Sequence, residues 1–314
     1  MPAAQLVLVV ANLVYATAPT MTRLTLEHVS PSTLAFAELL IASVLLVPLA
    51  LRRDAKAMAM SAADRWRIAG MGLIGFAVAF SLSNWGIRLS SASNAALLIT
   101  LEPASLIVLS PLLLGEKLTR REASGAALAL LGATVIVVNG VPGVTTELAP
   151  RWRGDVLLVL AAVAYASYTL LGRRVLSRHR ALPVTAWSLL CGAAGMVPLV
   201  TLEHMSGQAS TWTPAAVAGM LYLAVVVVAL GFMGWNYAVE RLEAPRVAIF
   251  LNIQPLAGAL IGVWWLGEPL TVFTIAGGLL ILTGLHVGSG FDFSTRGDSE
   301  RPSTIVKKSE PDPG

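Results

Sequence analysis

Ten predominantly apolar runs follow one another along the chain, separated by short segments rich in charged residues, Pro or Gly. Each run has about 20 residues, the length that an α-helix needs to cross the hydrocarbon core of a bilayer. The runs are apolar on all sides rather than alternating, which favours helices over strands. The sequence therefore predicts an all-α integral membrane protein with ten transmembrane helices, whose approximate cores are 3–21, 32–51, 66–87, 92–114, 121–140, 154–173, 183–202, 213–236, 244–266 and 271–289.

Composition agrees with this pattern. Of the 314 residues, 56% are hydrophobic and only 13% are charged, and the mean hydropathy is +0.73. Soluble domains carry about 25% charged residues, so a soluble globular enzyme is excluded.

The Lys and Arg residues in the connections orient the predicted helices. If the N-terminus is cytoplasmic, 18 of the 22 basic side chains lie in the connections and tail on the cytoplasmic side, and four lie on the other side. Basic loops stay on the cytoplasmic side of a membrane. We therefore expect a multi-pass protein of the plasma (inner) membrane with both termini cytoplasmic, and the net charge of +4 reflects this topology rather than nucleic-acid binding. The first run lacks a basic leader and a cleavage site, so it is predicted to be a retained helix.

The chain also repeats itself. Residues 84–136 align without a gap on 236–288, and upstream the offset is about 150, which pairs Tyr15 with Tyr165. Each repeat holds five predicted helices, an odd number, so the second repeat is expected to be inverted relative to the first. The predicted organisation is a first repeat at 1–140, a linker at 141–153, a second repeat at 154–289 and a disordered cytoplasmic tail at 290–314.

Matching positions of the two repeats carry the segments LLLGEKLT (112–119) and WWLGEPLT (264–271). Each segment predicts a tight helical hairpin, in which the glycine adopts the left-handed conformation that ends a helix and the threonine caps the next one. Thr119 and Glu122 fit a capping box. A carboxylate near helix N-termini is stabilising, so a structural role is predicted for the four hairpin residues Gly115, Glu116, Gly267 and Glu268.

With these motifs the chain resembles the EamA family of the drug/metabolite transporter superfamily. The resemblance covers residues 3–289 and rests on the two five-helix repeats, each with a Pro-bearing fourth helix that leads to LGE-x-LT. It implies a secondary active transporter, typically an exporter of amino acids, other metabolites or drugs, and no cofactor.

Two positions depart from the family pattern. Family members often carry Trp-Gly where this chain has Val14-Tyr15, and often carry an Arg in the stretch 34–39, where this chain has Glu38. A Glu in place of an Arg reverses the charge, so the charge preference of relatives does not transfer.

Two acidic residues, Glu38 and Glu102, lie well inside predicted helices, away from the helix ends. Ionisable side chains in a membrane cost about 2.5–3.5 kcal/mol on insertion scales and face a cavity or a partner. Glu102 precedes Pro103, which is expected to kink the fourth helix, and its repeat mate is the neutral Gln254. Glu38 shares a helical face with small residues. Both are predicted to bind substrate or to couple transport to protons, and the alternative is a protonated Glu bonded within the bundle.

Polar aromatic and amide side chains complete the candidate site. The predicted substrate-binding residues are Tyr15, Glu38, Asn94, Glu102, Tyr165, Tyr168, Asn252 and Gln254. For any of the uncharged residues, the alternative is a hydrogen bond that joins two helices.

Other classes of function are less well supported. No Gly-Lys dipeptide occurs, so the chain has no Walker A loop, and the four histidines are scattered without metal-ligand spacing. We therefore predict a transporter that moves a small metabolite, such as an amino acid or an amphipathic or cationic compound, by alternating access. It is predicted not to be an enzyme, to bind no metal and to be preferentially monomeric, although a dimer remains open. A channel or facilitator, or a membrane sensor that transports nothing, are the alternatives.

Overall fold

A computed structural model describes residues 2–53, 60–115, 117–141, 151–239 and 253–289. Within these ranges the secondary structure is helical and contains no β-strand. The α-helices in chain order are α1 (Pro2–Thr25), α2 (Pro31–Arg53), α3 (Ala62–Gly72), α4 (Ala79–Leu89), α5 (Ala92–Leu98), α6 (Glu102–Leu114), α7 (Arg120–Asn139), α8 (Trp152–Leu176), α9 (Ala181–Met205), α10 (Pro214–Leu221), α11 (Gly231–Val239), α12 (Ile253–Leu266) and α13 (Val272–Ser289).

Several of these helices join into longer spans. Helices α3 and α4 are continuous through a π-helical segment, Leu73–Val78, and α10 and α11 through a second one, Tyr222–Leu230. Eight spans in the described ranges are long and apolar enough to cross a membrane, and two shorter apolar helices, Ile253–Leu266 and Val272–Gly288, follow them. The predicted ninth helix began at residue 244, but its first part lies outside the described residues.

The fourth span is interrupted where the sequence predicted a kink. Helix α5 passes into a 3₁₀ turn, Ile99–Leu101, and α6 begins with Glu102 and Pro103. Proline cannot donate a backbone hydrogen bond, so a regular helix through this point would lose one. The interruption places Glu102 at the junction of two helical segments.

Both predicted hairpins have the expected geometry in their described parts. Gly115 and Gly267 have positive φ angles of 68° and 65°. Thr119 and Glu122 form the predicted capping box at the start of α7. The Thr271 hydroxyl accepts a hydrogen bond from the backbone of Thr274 at 3.1 Å.

Contacts at the helix termini define two ends of the bundle. The Asp64 end is marked by the contact of Asp64 with His179, 3.3 Å apart, and the Glu203 end by the hydrogen bonds of Glu203 to Ser32. Helix α9 begins just after His179 and reaches Glu203, whereas α2 begins at the Glu203 end. Helices α2 and α9 therefore run antiparallel.

Helices α7 and α13 pack backbone to backbone through glycines. A Cβ added to Gly132 would lie 2.5 Å from the carbonyl oxygen of Gly277, and a Cβ added to Gly125 would lie 2.6 Å from that of Gly284. Small residues allow helices to approach closely in membranes. The repeat alignment pairs Gly125 with Gly277 and Gly132 with Gly284, so each contact maps onto the other when the repeats are exchanged.

Candidate functional site

Two acidic side chains and a tyrosine meet inside the bundle. The Tyr165 phenol has the carboxylates of Glu38 and Glu102 as electrostatic neighbours and hydrogen-bonds to Ser83. Glu38 on α2 is only 4% exposed and contacts the Asn84 side chain, while one of its carboxylate oxygens, Oε1, has no hydrogen-bond partner within the described ranges. The structure thus brings together three of the predicted site residues.

Glu102 is less enclosed than Glu38. It is half-buried, and the Thr169 hydroxyl donates to its Oε1 across 3.3 Å. One residue earlier on α8, the hydroxyls of Tyr168 and Thr185 are 3.2 Å apart. The Tyr168 phenol also has the Glu102 carboxylate as an electrostatic neighbour, so it lies near the same group of residues.

A chain of aromatic rings extends from this group across the bundle. Phe76, in the first π segment, lies 4.9 Å from Tyr168 and 6.0 Å from both Phe80 and Phe232, measured between ring centroids. Such spacings are typical of favourable aromatic pairs. Tyr15, the remaining tyrosine of the predicted site, packs edge-on against Phe232 at 6.4 Å.

The ring pairs of the aromatic chain are related to each other by the internal repeat. Tyr15 contacts Phe232 at an interplanar angle of 79°, and Tyr165 contacts Phe80 at 73°. Tyr15 and Tyr165 are repeat mates, and the offset of 152 pairs Phe80 with Phe232. The two T-shaped pairs are therefore equivalent contacts between the two halves, and each lies next to one of the π-helical segments. Such segments are frequent at functional sites.

Asn94 lies in a different cluster. Its amide donates to the Asp155 carboxylate at 3.1 Å and its carbonyl oxygen accepts from the Thr274 hydroxyl at 3.4 Å. Ser90 also hydrogen-bonds to Asp155, which is fully buried at the start of α8. The structure does not bring Asn94 to the carboxylate site but to this tight junction at the Glu203 end.

Glu268 of the second hairpin binds the N-terminus of α5. Its carboxylate accepts hydrogen bonds from the backbone amides of Ala92 and Ser93, both at 2.8 Å, and from the Ser93 hydroxyl at 2.6 Å. The expected location near a helix N-terminus is thus observed, but the helix belongs to the first repeat rather than to the hairpin of Glu268 itself.

Of three further predicted residues, the structure describes one. Gln254 is half-buried in the first turn of α12, one turn before Gly258, whose backbone lies against Ala16 and Ala96. Asn252 and Glu116 lie outside the described residues.

Polar contacts join the two halves at the Glu203 end. The Glu203 carboxylate accepts from the backbone amides of Ser32 and Thr33 at 3.1 Å, so it caps the start of α2. In the same region Arg88 donates to the side-chain oxygen of Gln208 at 3.4 Å, and the Ser30 and Ser210 hydroxyls are 3.2 Å apart. Helix α2 and the segment after α9 are thereby tied together at this end.

Sequence reasoning missed several residues of this arrangement. In the sequence, three phenylalanines of the aromatic chain look like any other apolar residue of a span: Phe76, Phe80 and Phe232. Only the pairing of Phe80 with Phe232 at the repeat offset distinguishes two of them. Asp155 lies in the first turn of the predicted sixth helix beside Arg151 and Arg153, where a carboxylate is ordinary, so the sequence does not mark it as buried.

The side chains of the site offer a ligand several kinds of contact. The described residues contain no group of three or more His, Cys, Asp or Glu side chains that could hold a metal ion. Carboxylates and phenols against aromatic rings provide charge, hydrogen bonds and stacking surface for a small organic molecule.

The outer surface identifies the class of protein. Large apolar side chains face outwards on the helices, among them Trp264 at 88% and Leu112 at 76% exposure. Together with the long apolar spans, this surface defines a multi-pass helical membrane protein whose interior holds polar and aromatic groups.

Comparison with known proteins assigns the chain to a family. The sequence model of the EamA-like transporter family matches it twice, at residues 2–138 and 152–288. The chain therefore belongs to the EamA-like transporter family, whose members are transporters and not enzymes.

Individual relatives agree with this assignment. A protein of Streptantibioticus cattleyicolor described as a "Probable terminal-alkyne amino-acid exporter" is 29% identical over 94% of this chain and 96% of its own. A "Probable amino-acid metabolite efflux pump" of Salmonella typhimurium is 26% identical over 70% of this chain and 74% of its own. A solved crystal structure with 21% identity superposes with a TM-score of 0.62, covering 92% of this chain and 97% of that one, and it shows the fold.

Proposed function

We propose that this protein is a secondary active transporter that exports a small metabolite, such as an amino acid, across the inner membrane by alternating access. The observation that carries the proposal is the pair of carboxylates at Tyr165, enclosed by the symmetric aromatic chain. Carriers of this kind bind substrate between two repeats near the middle of the membrane. Glu102 and Tyr165 each lie close to the middle of their spans, Ala92–Leu113 and Trp152–Leu176.

The proposed architecture is ten transmembrane helices in two inverted repeats. The two matches of the family model support two units of similar length. The contacts Gly132–Gly277 and Gly125–Gly284 support a two-fold relation between antiparallel helices, because exchange of the repeats interconverts them. With the N-terminus cytoplasmic, the Glu203 end faces outwards, and a monomer is the proposed functional unit.

The substrate site in this proposal consists of Tyr15, Glu38, Glu102, Tyr165 and Tyr168. The polar contacts of Glu203 and Arg88 hold the outer end together. Glu38 and Glu102 are the proposed sites of proton coupling, since both lie inside spans.

Counterflow in proteoliposomes tests this function. Purified protein is reconstituted with unlabelled phenylalanine or lysine inside, and uptake of the same labelled amino acid is followed. A carrier gives saturable exchange above that of empty liposomes, a channel gives flux without acceleration by internal substrate, and a sensor gives no flux. Absence of exchange for every common amino acid would contradict the proposal.

Two variants, Glu38→Gln and Glu102→Gln, test whether the carboxylates are needed for exchange. Glu102→Gln copies the neutral repeat mate Gln254 and should reduce exchange or flatten its dependence on pH. The same reaction should be unaffected in Glu27→Gln, which alters an exposed carboxylate. If both Glu38→Gln and Glu102→Gln leave the rate and its pH dependence unchanged, these residues are not the coupling groups.

A further inference from the structure

We propose that the two carboxylates of the first repeat, Glu38 and Glu102, form a cation subsite in which an ammonium group of the substrate lies between them, beside Tyr165 of the second repeat. The inference rests on the proposed transport function and deepens it, because it assigns the substrate class: organic ammonium compounds, including zwitterions that carry an ammonium group. It also predicts that the charged end lies at Tyr165 rather than at its repeat mate Tyr15.

The first argument is the incomplete bonding of Glu38. Its side chain is buried, and its Oε1 has no donor among the described residues. A buried polar atom without a partner is destabilising, and more so if it is charged. An ammonium group supplies up to three donors and a positive charge, which satisfies this oxygen.

The second argument is the sign of the surrounding charge. Two carboxylates lie close to the Tyr165 phenol. Glu102 is half-buried and accepts from the Thr169 hydroxyl, one turn from Tyr165 on α8. Glu38 hydrogen-bonds to Asn84, the neighbour of the Ser83 that hydrogen-bonds to Tyr165. Two carboxylates near one site attract a cation and repel an anion.

The third argument is the aromatic lining. Tyr165 pairs with Phe80 at 5.9 Å, and Tyr168 pairs with Phe76 at 4.9 Å. The faces of aromatic rings attract ammonium groups, and the attraction is strongest where water is excluded. The rings also provide apolar surface for the carbon frame next to the ammonium group.

The fourth argument is the asymmetry of the repeats. The positions equivalent to Glu38 and Glu102 are the neutral Ser188 and Gln254, and the position equivalent to Tyr168 is Ala18. The equivalent pair, Tyr15 of the first repeat and Phe232 of the second, is present, but the positions that match Glu38 and Glu102 carry no carboxylate. The ammonium group is therefore bound beside Tyr165 rather than beside Tyr15, and the uncharged part of the substrate extends toward Tyr15.

Three probes that share one frame test the subsite: 2-phenylethylammonium, 2-phenylethanol and 3-phenylpropionate. Thermal unfolding of the purified full-length protein is measured with each probe. Only the ammonium compound should raise the unfolding temperature in a saturable manner. Glu38→Gln and Glu102→Gln should each weaken its apparent affinity by about tenfold or more, whereas Ser188→Ala, at the repeat mate of Glu38, should leave the affinity unchanged.

The outcomes separate the subsite from the transport function. Equal stabilisation by the alcohol and the ammonium compound, or unchanged affinity in both Gln variants, would overturn the cation subsite even if counterflow is observed. Both variants keep the shape of the side chain, and size-exclusion chromatography checks that they fold. Loss of counterflow together with intact ammonium binding would instead refute transport and retain the subsite.

Discussion

The carboxylate of Glu268 hydrogen-bonds to both the backbone amide and the hydroxyl of Ser93, at 2.8 and 2.6 Å. These residues lie 175 positions apart, in different repeats. The second hairpin thus supplies the anionic cap for the helix that leads to Glu102. A negative charge at a helix N-terminus is stabilising, so this contact fixes the start of α5 relative to α12.

Glu268→Gln should therefore destabilise the protein. The amide retains one acceptor but loses the charge, and hydrogen bonds to charged groups contribute about 1.5–3 kcal/mol each. We expect a loss of about 1–3 kcal/mol in the free energy of unfolding in detergent, measured by denaturant titration. The exposed Glu27→Gln is the matched control and should have no effect. An equal free energy of unfolding for the two variants would mean that Glu268 does not hold the start of α5.

Gly132→Ala should disrupt the contact between α7 and α13. The added methyl group would collide with the Gly277 carbonyl oxygen at 2.5 Å, and overpacking of this kind costs about 1–3 kcal/mol. The measurement is the shift in unfolding temperature. Gly70→Ala is the control, because nothing lies within 4 Å of an added Cβ there. Alanine is the better helix former by about 1 kcal/mol, so the control should be neutral or stabilising, and equal effects would contradict the packing argument.

Glu203→Gln should loosen the Glu203 end. It weakens the cap on α2 by removing the charge that accepts from Ser32 and Thr33. Opening is measured with Ser30→Cys in a Cys191→Ala background. Ser30 is buried, so a cysteine there reacts with a membrane-impermeant maleimide only when this end opens. A loss of about 1.4 kcal/mol corresponds to a tenfold faster reaction. Unchanged labelling would show that Glu203 does not seal this end.

The helical architecture and the hairpins could be predicted because they depend on local patterns. Runs of about 20 apolar residues determine a span whatever they pack against, and Gly115 and Thr119 determine their turn through backbone conformation alone. The partner of Glu268 could not be predicted, because its own hairpin offered a nearer helix N-terminus than Ser93. Asn94 and Glu102 share a face of one predicted helix, but the turn at Ile99–Leu101 lies between them and their contacts lie in different clusters.

Because Asn94 and Glu102 lie in different clusters, substitutions at the two positions should have opposite effects on stability and on substrate affinity. Asn94→Ala removes the donor to buried Asp155 and the acceptor for Thr274. Leaving buried polar groups without partners costs about 1–3 kcal/mol each, so we expect a clear fall in unfolding temperature with substrate affinity retained in the folded fraction. Glu102→Gln should do the opposite, because its carboxylate is half-buried and has a single described hydrogen bond, so affinity falls while stability changes little. Thermal unfolding with and without 2-phenylethylammonium measures both quantities on the same samples. If Asn94→Ala instead abolished binding without loss of stability, the Asp155 cluster would be part of the substrate site, and the site would extend along the fourth span toward the Glu203 end.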